Sequence, residues 1–513
     1  MILLDEDSSQ RPKLSAADPA APSPSEPAPS PDYETSEAQD PSHHKLRGGG
    51  KFWNTRVGKL ISYALVFYSS VLFVVGVPTF VLKWRSSHKF RWHADDSFSD
   101  YPLPPPPPLL GSQIDLSSQA LGQFSLSCNT WAESVAVPGD HNSTAGIASM
   151  RLAFPLGEGI LLRTNSSPDN LRDYVSGSLM VDMNPDKTIS GTVLVANARY
   201  SDFQLFKSSS VCLTNVENTT EILLHIPDKR EGQSDNIHID LRLLFPWTPT
   251  PISLNLFATH LPMFKQNLSN LGSLVVFEHL KLAGSSSTIT VGSTTAASIV
   301  VRTSGAEISG NFSASEKIIL DTINGAVYAN VSLINSKKLK RPTKLTVETG
   351  NGPIVAHVTV EVDERVYFMT PKHHNVLTKF KTFNAPMNVS IAHVPGSKPA
   401  RLGVLAENTQ GAMNFNLDSL YTGTFDLRSK EATTMVQEAA VPVVATSFLT
   451  SGDGERELHF EHVSPEWTFG WIGGDRRPEK FDRHALGRVE LFNSLSPVEL
   501  RLAQSRTSTT IRR

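Results

Sequence analysis

The side chains that most resemble a chemical site lie near the C-terminus, at His459, Glu461 and His462. All three are metal-ligand types, but successive side chains of a strand point to opposite faces. His459 and Glu461 would share one face and His462 the other, so the three would not converge on one ion. A solvated strand explains them better, and the adjacent pair His373 and His374 is interpreted as a polar pair in a loop.

Three carboxylates, Asp321, Glu348 and Glu407, occupy equivalent positions just before a recurring turn. Glycoside cleavage needs two facing carboxylates, whereas charges along a strand edge protect a sheet from pairing with other chains. We favour the second interpretation. The sequence also lacks the motifs of a serine-hydrolase elbow, a zinc-protease helix, a phosphate loop and a dinucleotide site. It therefore predicts a protein that is not an enzyme and that has no cofactor or metal.

Two further residue classes carry chemistry. Cys128 and Cys212 either pair in an oxidising compartment or remain free, and two thiols do not make a four-ligand zinc site by themselves. Seven asparagines stand in Asn-x-Ser/Thr sequons, which predicts N-glycosylation in the secretory pathway. These are Asn142, Asn165, Asn218, Asn267, Asn311, Asn330 and Asn388.

The elements that position these residues begin with a membrane span. Residues 60–82 contain no charge and are long enough to cross a bilayer as a helix. The acidic, Pro- and Ser-rich segment before them predicts a disordered tail, and the sequons follow the span. We therefore expect a single-pass signal anchor with a cytosolic N-terminus and a luminal or extracellular C-terminal domain. Its location would be the plasma membrane, the vacuole or another membrane of the secretory pathway.

Beyond the span the sequence predicts an all-β ectodomain. Short alternating or β-branched runs are separated by Gly, Pro, Asn and Ser, without a long helical stripe. A net charge of −3 on 513 residues gives no field that favours nucleic acid. The predicted organisation is a disordered cytosolic tail (1–59), a transmembrane helix (60–82), a juxtamembrane segment with a Pro-rich spacer (83–111), a β-sandwich-like domain (112–262), a β-solenoid-like repeat domain (263–505) and a disordered C-terminus (506–513).

The repeats set the strand register. Units begin at Thr303, Thr322, Thr349, Thr382, Asn408 and Asn493, and a weak unit is expected near Ser429. Each has a small residue at its fourth place, followed by alternating apolar residues. Asn324-Gly325 is a strong hairpin signal. Other units place Ala or Leu there, which disfavours a left-handed turn, so we prefer a solenoid corner to an antiparallel meander.

Period-two alternation then divides the side chains that follow each corner. The predicted core residues are Val327, Ala329, Val331, Ile354, Ala356, Val358, Met387, Val389, Ile391, Met413, Phe415 and Leu417. The opposite, outward set includes Tyr328, His357, Asn414, Asn416, Glu499, Arg501 and the sequon residues Asn311, Asn330 and Asn388. Glycans require a water-facing surface, so the sequons agree with this register.

The units TINGAVYANV (322–331) and TGNGPIVAHV (349–358) resemble the putative-adhesin β-solenoid family. The whole layout resembles uncharacterised fungal single-pass membrane proteins with β-rich ectodomains. The resemblance covers about 300–420 and part of 485–505, and it implies a surface or adhesive role without catalytic residues.

The function expected from the sequence is display of a glycosylated β-rich ectodomain for surface binding or adhesion. The expected partners are the lipid bilayer through residues 60–82 and glycans or other surface proteins, with no nucleic acid. The alternatives are a membrane-anchored glycan-active enzyme and a lipid-contacting structural tether. A deep cleft with paired carboxylates would favour the enzyme, and a continuous apolar groove in 112–262 would favour the tether.

Overall fold

The computed structural model describes residues 127–129, 131, 133–136, 146–165, 174–201, 203–216, 218–227, 236–335, 341–362, 375–439, 457–473 and 486–503. Within these ranges the chain forms 27 β-strands and one short helix, α1 (Phe203–Lys207). None of the helices in these ranges has the length and apolarity needed to cross a membrane. The predicted tail, span and spacer, together with 506–513, lie outside the described residues.

The strands of the first half are β1 (Ser127–Asn129), β2 (Glu133–Ala136), β3 (Gly146–Phe154), β4 (Gly159–Thr164), β5 (Val175–Met183), β6 (Thr192–Tyr200), β7 (Ser210–Val216), β8 (Thr219–His225), β9 (Ile237–Phe245), β10 (Ile252–His260), β11 (Phe264–Asn270), β12 (Val275–Ala283), β13 (Ile289–Thr303) and β14 (Ile308–Thr322). Those of the second half are β15 (Val327–Asn335), β16 (Thr343–Thr349), β17 (Ile354–Val362), β18 (Val376–Lys381), β19 (Met387–His393), β20 (Leu402–Glu407), β21 (Met413–Leu417), β22 (Gly423–Arg428), β23 (Thr434–Ala439), β24 (Glu457–Val463), β25 (Trp467–Gly473), β26 (Gly487–Phe492) and β27 (Val498–Ala503).

Strand pairing arranges these strands in two long, mainly parallel layers. Sheet 1 has the order β2-β3-β6-β9-β5-β11-β13-β14-β15-β17-β19-β21-β27-β23. Sheet 2 has the order β1-β7-β8-β4-β10-β12-β13-β14-β16-β18-β20-β26-β22-β25-β24. The long strands β13 and β14 belong to both, because their first halves pair in sheet 1 and their second halves in sheet 2.

One coil of the stack is a strand of sheet 2, a corner, and the next strand in sheet 1. The two sheets share a single apolar core, as shown by Phe380 of sheet 2 and Phe415 of sheet 1, whose ring centroids are 5.8 Å apart. All twelve residues predicted as core after the corners are buried. The parallel register, with Val327 beside Ile354 and Ile354 beside Met387, confirms a solenoid corner rather than an antiparallel meander.

The corners are joined by a repeated hydrogen-bond relay. The buried side chain that opens each unit donates to the fourth-place carbonyl of the neighbouring coil: Thr349 Oγ1 to Gly325 O at 2.9 Å, and Thr382 Oγ1 to Gly352 O at 3.1 Å. The same Thr349 hydroxyl accepts from its own fourth-place amide, Gly352 N, at 3.0 Å. The same donation to a fourth-place carbonyl is made by Thr322, Asn408, Asn493 and Ser429. Thr303 donates to Ser285 O of the preceding coil. The weak unit expected at Ser429 is therefore confirmed.

Close packing explains the small residue at the fourth place. A Cβ added to Gly325 would lie 1.8 Å from Ala306 O, and one added to Gly352 would lie 1.8 Å from Gly325 O. Neither glycine has a positive φ. Glycine is needed here because backbones of neighbouring coils approach one another, and a left-handed turn plays no part.

The predicted domain boundary between 262 and 263 does not coincide with a break in the stack. β10 pairs in parallel with both β4 and β12, and β11 pairs with both β5 and β13. The segment taken as a separate sandwich therefore continues the two sheets of the repeats. Sequence periodicity missed this because its coils lack the Thr-x-Asn-Gly corner and are interrupted by the antiparallel strands β6 and β7.

Candidate functional site

The described sequon asparagines concentrate on one surface. Asn267, Asn311, Asn330 and Asn388 are exposed and lie on the outer face of sheet 1, on β11, β14, β15 and β19. Their inward neighbours are core residues, for example Ala329 and Val331 beside Asn330. Glycan attachment at these positions remains a prediction, and the fold supplies the accessible surface that it requires.

The other sequons lie elsewhere. Asn165 is half-buried directly after β4, and its Oδ1 accepts from Ile226 N at 3.0 Å. Asn218 is exposed in the turn before β8, with φ at 64°. Asn142 lies outside the described residues. The outer face of sheet 2 from β10 to β25 therefore carries none of the described sequons.

The two cysteines meet at the N-terminal end of sheet 2. β1 pairs antiparallel with β7, which places Cys128 directly opposite Cys212, and a disulfide joins them with an S–S distance of 2.09 Å. Cys128 is exposed and Cys212 is buried. The disulfide encloses the chain from β1 to β7 in one covalent loop.

The carboxylate column predicted from the repeats is present on the outer face of sheet 2. Asp321 lies beside Glu348, Glu348 beside Lys381, and Lys381 beside Glu407. Each of these acids has a cationic partner: Arg302 Nε lies 3.7 Å from Asp321 Oδ2, and Lys379 Nζ lies 2.6 Å from Glu348 Oε1. Burial raises the pKa of Asp321, an effect that Arg302 opposes and Glu348 reinforces. The column is an ion-pair ladder.

Further along the same face lies a denser cluster, formed where β24, β25, β22 and β26 stand side by side. Register places Trp467 beside Arg428 and Arg428 beside Phe492, with Asp426 between Phe469 and Glu490 in the next row. We call this cluster the outer patch. Its members are Asp426, Arg428, His459, His462, Trp467, Phe469, Trp471, Arg488, Glu490 and Phe492.

Asp426 is the polar centre of the outer patch. Its Oδ1 accepts from Trp467 Nε1 at 3.0 Å and from Arg428 Nε at 2.9 Å, and its Oδ2 accepts from Arg428 Nη2 at 2.7 Å. The Arg428 guanidinium also lies over the Trp467 ring, 5.3 Å from its centroid. Such a bidentate pair fixes both the arginine and the indole. Trp467 nevertheless keeps 37% of its surface exposed.

Glu490 lies beside Asp426 and is nearly buried, with 3% of its surface exposed. Its carboxylate pairs with the Arg488 guanidinium. Burial raises the pKa of Glu490 to about 7; Arg488 opposes the shift and the charge of Asp426 adds to it. Glu490 therefore changes charge near neutral pH, but its burial keeps it from reaching a dissolved substrate.

The two histidines proposed and set aside as metal ligands belong to this patch. His459 stacks on Trp471 with ring centroids 4.9 Å apart, and His462 lies 4.0 Å from the Trp467 ring. A β-bulge between Phe460 and His462 shifts the register of β24, so both histidines lie on the same face. The prediction that His462 faces away from His459 is therefore wrong. Among the residues that the structure describes, no three His, Cys, Asp or Glu side chains converge on a metal position. His373 and His374 lie outside those residues.

The patch offers an exposed indole, a fixed guanidinium and polar edges on a rigid sheet. These groups suit binding through stacking and hydrogen bonds. Both Asp426 oxygens are engaged and Glu490 is covered, so the pair does not form the open acid–base arrangement of a glycosidase. Sequence reasoning missed the patch because Arg428, Trp467 and Glu490 are adjacent only through pairing between strands distant in sequence.

No family model matches the chain, and no curated protein does. Among solved structures, a putative cell adhesion protein from Clostridium sporogenes aligns at 8% identity over 70% of this chain and 99% of that chain, with a TM-score of 0.16. A putative adhesin from Parabacteroides distasonis aligns at 9% identity over 53% and 90%, with a TM-score of 0.23. A putative lipid binding protein from the same species aligns at 10% identity over 53% and 89%, with a TM-score of 0.19. At such low TM-scores these alignments carry no argument about fold or function.

Proposed function

We propose that this chain is a single-pass surface protein whose glycosylated β-solenoid binds glycans or other surface molecules through the outer face of sheet 2. The observation that carries the proposal is the division of the two outer faces over the part of the stack from β10 to β25. The sequons of β11, β14, β15 and β19 lie on sheet 1. The ion-pair ladder and the outer patch lie on sheet 2. A surface covered by glycans resists contact with partners, which leaves sheet 2 as the binding face.

The outer patch is the contact that we assign to the ligand. Exposed tryptophan and arginine are the residues that most often dominate binding energy at protein surfaces. Sugars present apolar ring faces that stack on an indole and hydroxyl groups that hydrogen-bond to carboxylates and guanidinium groups. Trp467 supplies the indole, and Arg428 and Asp426 supply the charged edge.

Orientation and glycosylation are tested together by treating the full chain from its native cells with an endoglycosidase. A gain in electrophoretic mobility is expected, and Asn267→Gln, Asn330→Gln and Asn388→Gln should each remove one step of it. An unchanged mobility would place the C-terminal domain in the cytosol and overturn the surface assignment.

Ligand binding is tested on a glycan array with purified full chain. Trp467→Ala should lower binding at least tenfold, because it removes the stacking surface and the donor to Asp426. Trp247→Ala is the matched control, since Trp247 is as exposed as Trp467 but lies in the connection between β9 and β10, far from the outer patch in sequence. Equal losses in the two variants, or none in either, would contradict the patch as the binding site.

A further inference from the structure

The last coil of the chain does not lie last in the stack. After β21 the chain forms β22, β23, β24 and β25, which we call the cap, and only then β26 and β27, which we call the last coil. We call the strands up to β21 the body. In sheet 2 the last coil lies between body and cap, with Glu490 beside Leu405 of β20 on one side and Asp426 of β22 on the other. In sheet 1, Leu500 lies between Phe415 of β21 and Val436 of β23.

Backbone pairing between body and cap passes through the last coil. Within the residues that the structure describes, β20 has no ladder to β22, and β21 has none to β23. Hydrogen bonds at the corners also link body and cap through the last coil. Leu495 N donates to Thr409 O of the body at 2.9 Å, while Glu431 N of the cap donates to Ser494 O at 3.1 Å. The other connection between body and cap in the described residues is the covalent chain between Leu417 of β21 and Gly423 of β22.

The cap has its own cohesion. β22, β25 and β24 form an antiparallel sheet, and Phe460 packs edge-on against Phe425 with ring centroids 5.9 Å apart. The body likewise retains continuous ladders from β8 to β20 in sheet 2 and from β9 to β21 in sheet 1. The body and the three cap strands β22, β24 and β25 thus each contain the pairing that a cooperative unit needs, whereas β23 pairs with β27. The last coil is the element that joins body and cap.

We propose that the last coil is a latch that holds the cap, and with it the outer patch, against the body of the stack. Withdrawal of β26 and β27 removes the strand pairing between body and cap in both sheets at once. It also separates Arg488, Glu490 and Phe492 from the rest of the outer patch. The latch therefore regulates the binding surface assigned above, so the inference rests on the proposed function for its biological meaning. The latch itself is a property of the fold.

Glycines mark the place where the latch enters. A Cβ added to Gly487 would lie 2.5 Å from the Tyr421 ring, and one added to Gly423, whose φ is +150°, would lie 2.0 Å from Gly487 O. Tyr421 is fully buried, and its hydroxyl donates to Thr424 O at 2.7 Å. The first residue of the latch is therefore seated against a rigid surface with no space for a larger side chain.

The latch also contains an ionisable group, Glu490, that makes its stability depend on pH. Glu490 faces Arg488 on its own strand, Asp426 and Arg428 on β22, and the apolar Leu405 on β20, with Glu407 in the adjoining row. Its pKa of about 7 lies above the unfolded value of 4.5. The folded state therefore holds a proton that the released state loses. Stability from this proton is complete below pH 4.5 and is lost as the pH rises towards 7.

The test is hydrogen exchange with mass spectrometry on the full chain at pH 6 and pH 8, corrected for intrinsic exchange rates. Peptides from the cap and the last coil are expected to open as one unit. Their opening should be about tenfold more frequent at pH 8, as the two pKa values require. Peptides from β14 to β19 should show no such change. The measurement needs no ligand, so it stands or falls separately from glycan binding.

Two variants sharpen the test. Glu490→Gln should remove the pH dependence and hold the latch closed at pH 8, and Gly487→Ala should raise opening at both pH values. Gly305→Ala is the matched control, because its Cβ would meet nothing closer than 3.8 Å. The latch is overturned if the cap stays protected while the last coil exchanges, or if both exchange only together with β14 to β19.

Discussion

At each end of the stack, one coil lies out of sequence order between two others, but different interactions hold the two ends closed. At the N-terminal end, the coil β4–β5 lies between β8–β9 and β10–β11, out of sequence order. At the C-terminal end, β26–β27 lies between β20–β21 and β22–β23. The first end is closed by the Cys128–Cys212 disulfide. The second depends on packing and on an ionisable carboxylate.

This difference indicates which condition opens the strands at each end of the stack. A disulfide constrains the chain at any pH that leaves it oxidised, so the N-terminal end responds to reductant. The C-terminal end has no covalent closure among the described residues, and buried Glu490 makes it respond to pH. We therefore expect the N-terminal end, which follows the predicted membrane anchor, to stay closed when the pH changes. We expect the C-terminal end, which carries the outer patch, to open as the pH rises.

The largest effect is expected from breaking the covalent closure. Cys128→Ser should lower the stability of the N-terminal end by about 4 kcal/mol, because the disulfide spans 84 residues. Hydrogen exchange should increase in β7 and β8 while the cap is unchanged. Dithiothreitol on the wild-type chain should reproduce the pattern, and an effect of equal size at both ends would remove the distinction.

A core substitution in each out-of-order coil compares the ends directly. Leu162→Ala in β4 and Leu491→Ala in β26 each truncate a fully buried side chain, at a cost of about 3 kcal/mol. With the disulfide intact, Leu491→Ala should open only the cap and last coil. Leu162→Ala should act on the strands around β4. Thermal unfolding followed by peptide-level hydrogen exchange distinguishes the effects of the two variants. Identical exchange patterns in both variants would show that the two ends do not unfold independently.

The charge at the C-terminal end gives the next effect. Glu490→Gln should stabilise the cap by about 3 kcal/mol at pH 8 and by about 1 kcal/mol at pH 5, because it keeps the group uncharged. Chemical denaturation at both pH values measures the difference. Glu438→Gln, at an exposed carboxylate near the end of β23, is the control. A gain at pH 5 as large as that at pH 8 would refute the role of ionisation.

The smallest effect concerns the middle of the stack, which provides the baseline for both ends. Thr349→Val keeps the side-chain shape but removes the bonds to Gly325 O and Gly352 N, so it should cost about 1 kcal/mol. Thr346→Val on the outward side of the same strand should be nearly neutral. Denaturant midpoints of the two variants provide the comparison. If they were equal, the corner relay would add nothing to stability.

Much of the strand register could be predicted, for a physical reason. Alternation with period two is a local property, so Val327, Ala329 and Val331 could be assigned to the core before the partner strands were known. The preference for a solenoid corner at Asn324-Gly325 rested on Ala and Leu in equivalent units. Equivalent units can place Ala at this corner because Gly325 and Gly352 have no positive φ, so no left-handed turn is required.

The candidate site could not be predicted in the same way. Arg428, Trp467 and Glu490 lie on β22, β25 and β26, which are far apart in sequence. The expectation that His459 and His462 lie on opposite faces was wrong, because a β-bulge interrupts the alternation of β24. Only pairing across β25, β22 and β26 brings the residues of the outer patch together.

The sequence by itself determined that the described chain is β, which side of each repeat faces the core, and which sequons share one surface. These follow from side-chain alternation and corner chemistry, which act over a few residues. The tertiary structure alone decided the order of the coils, the pairing of the cysteines and the burial of Glu490. Those depend on which strand lies beside which, and the parallel ladders join strands whose order in the stack no local pattern encodes.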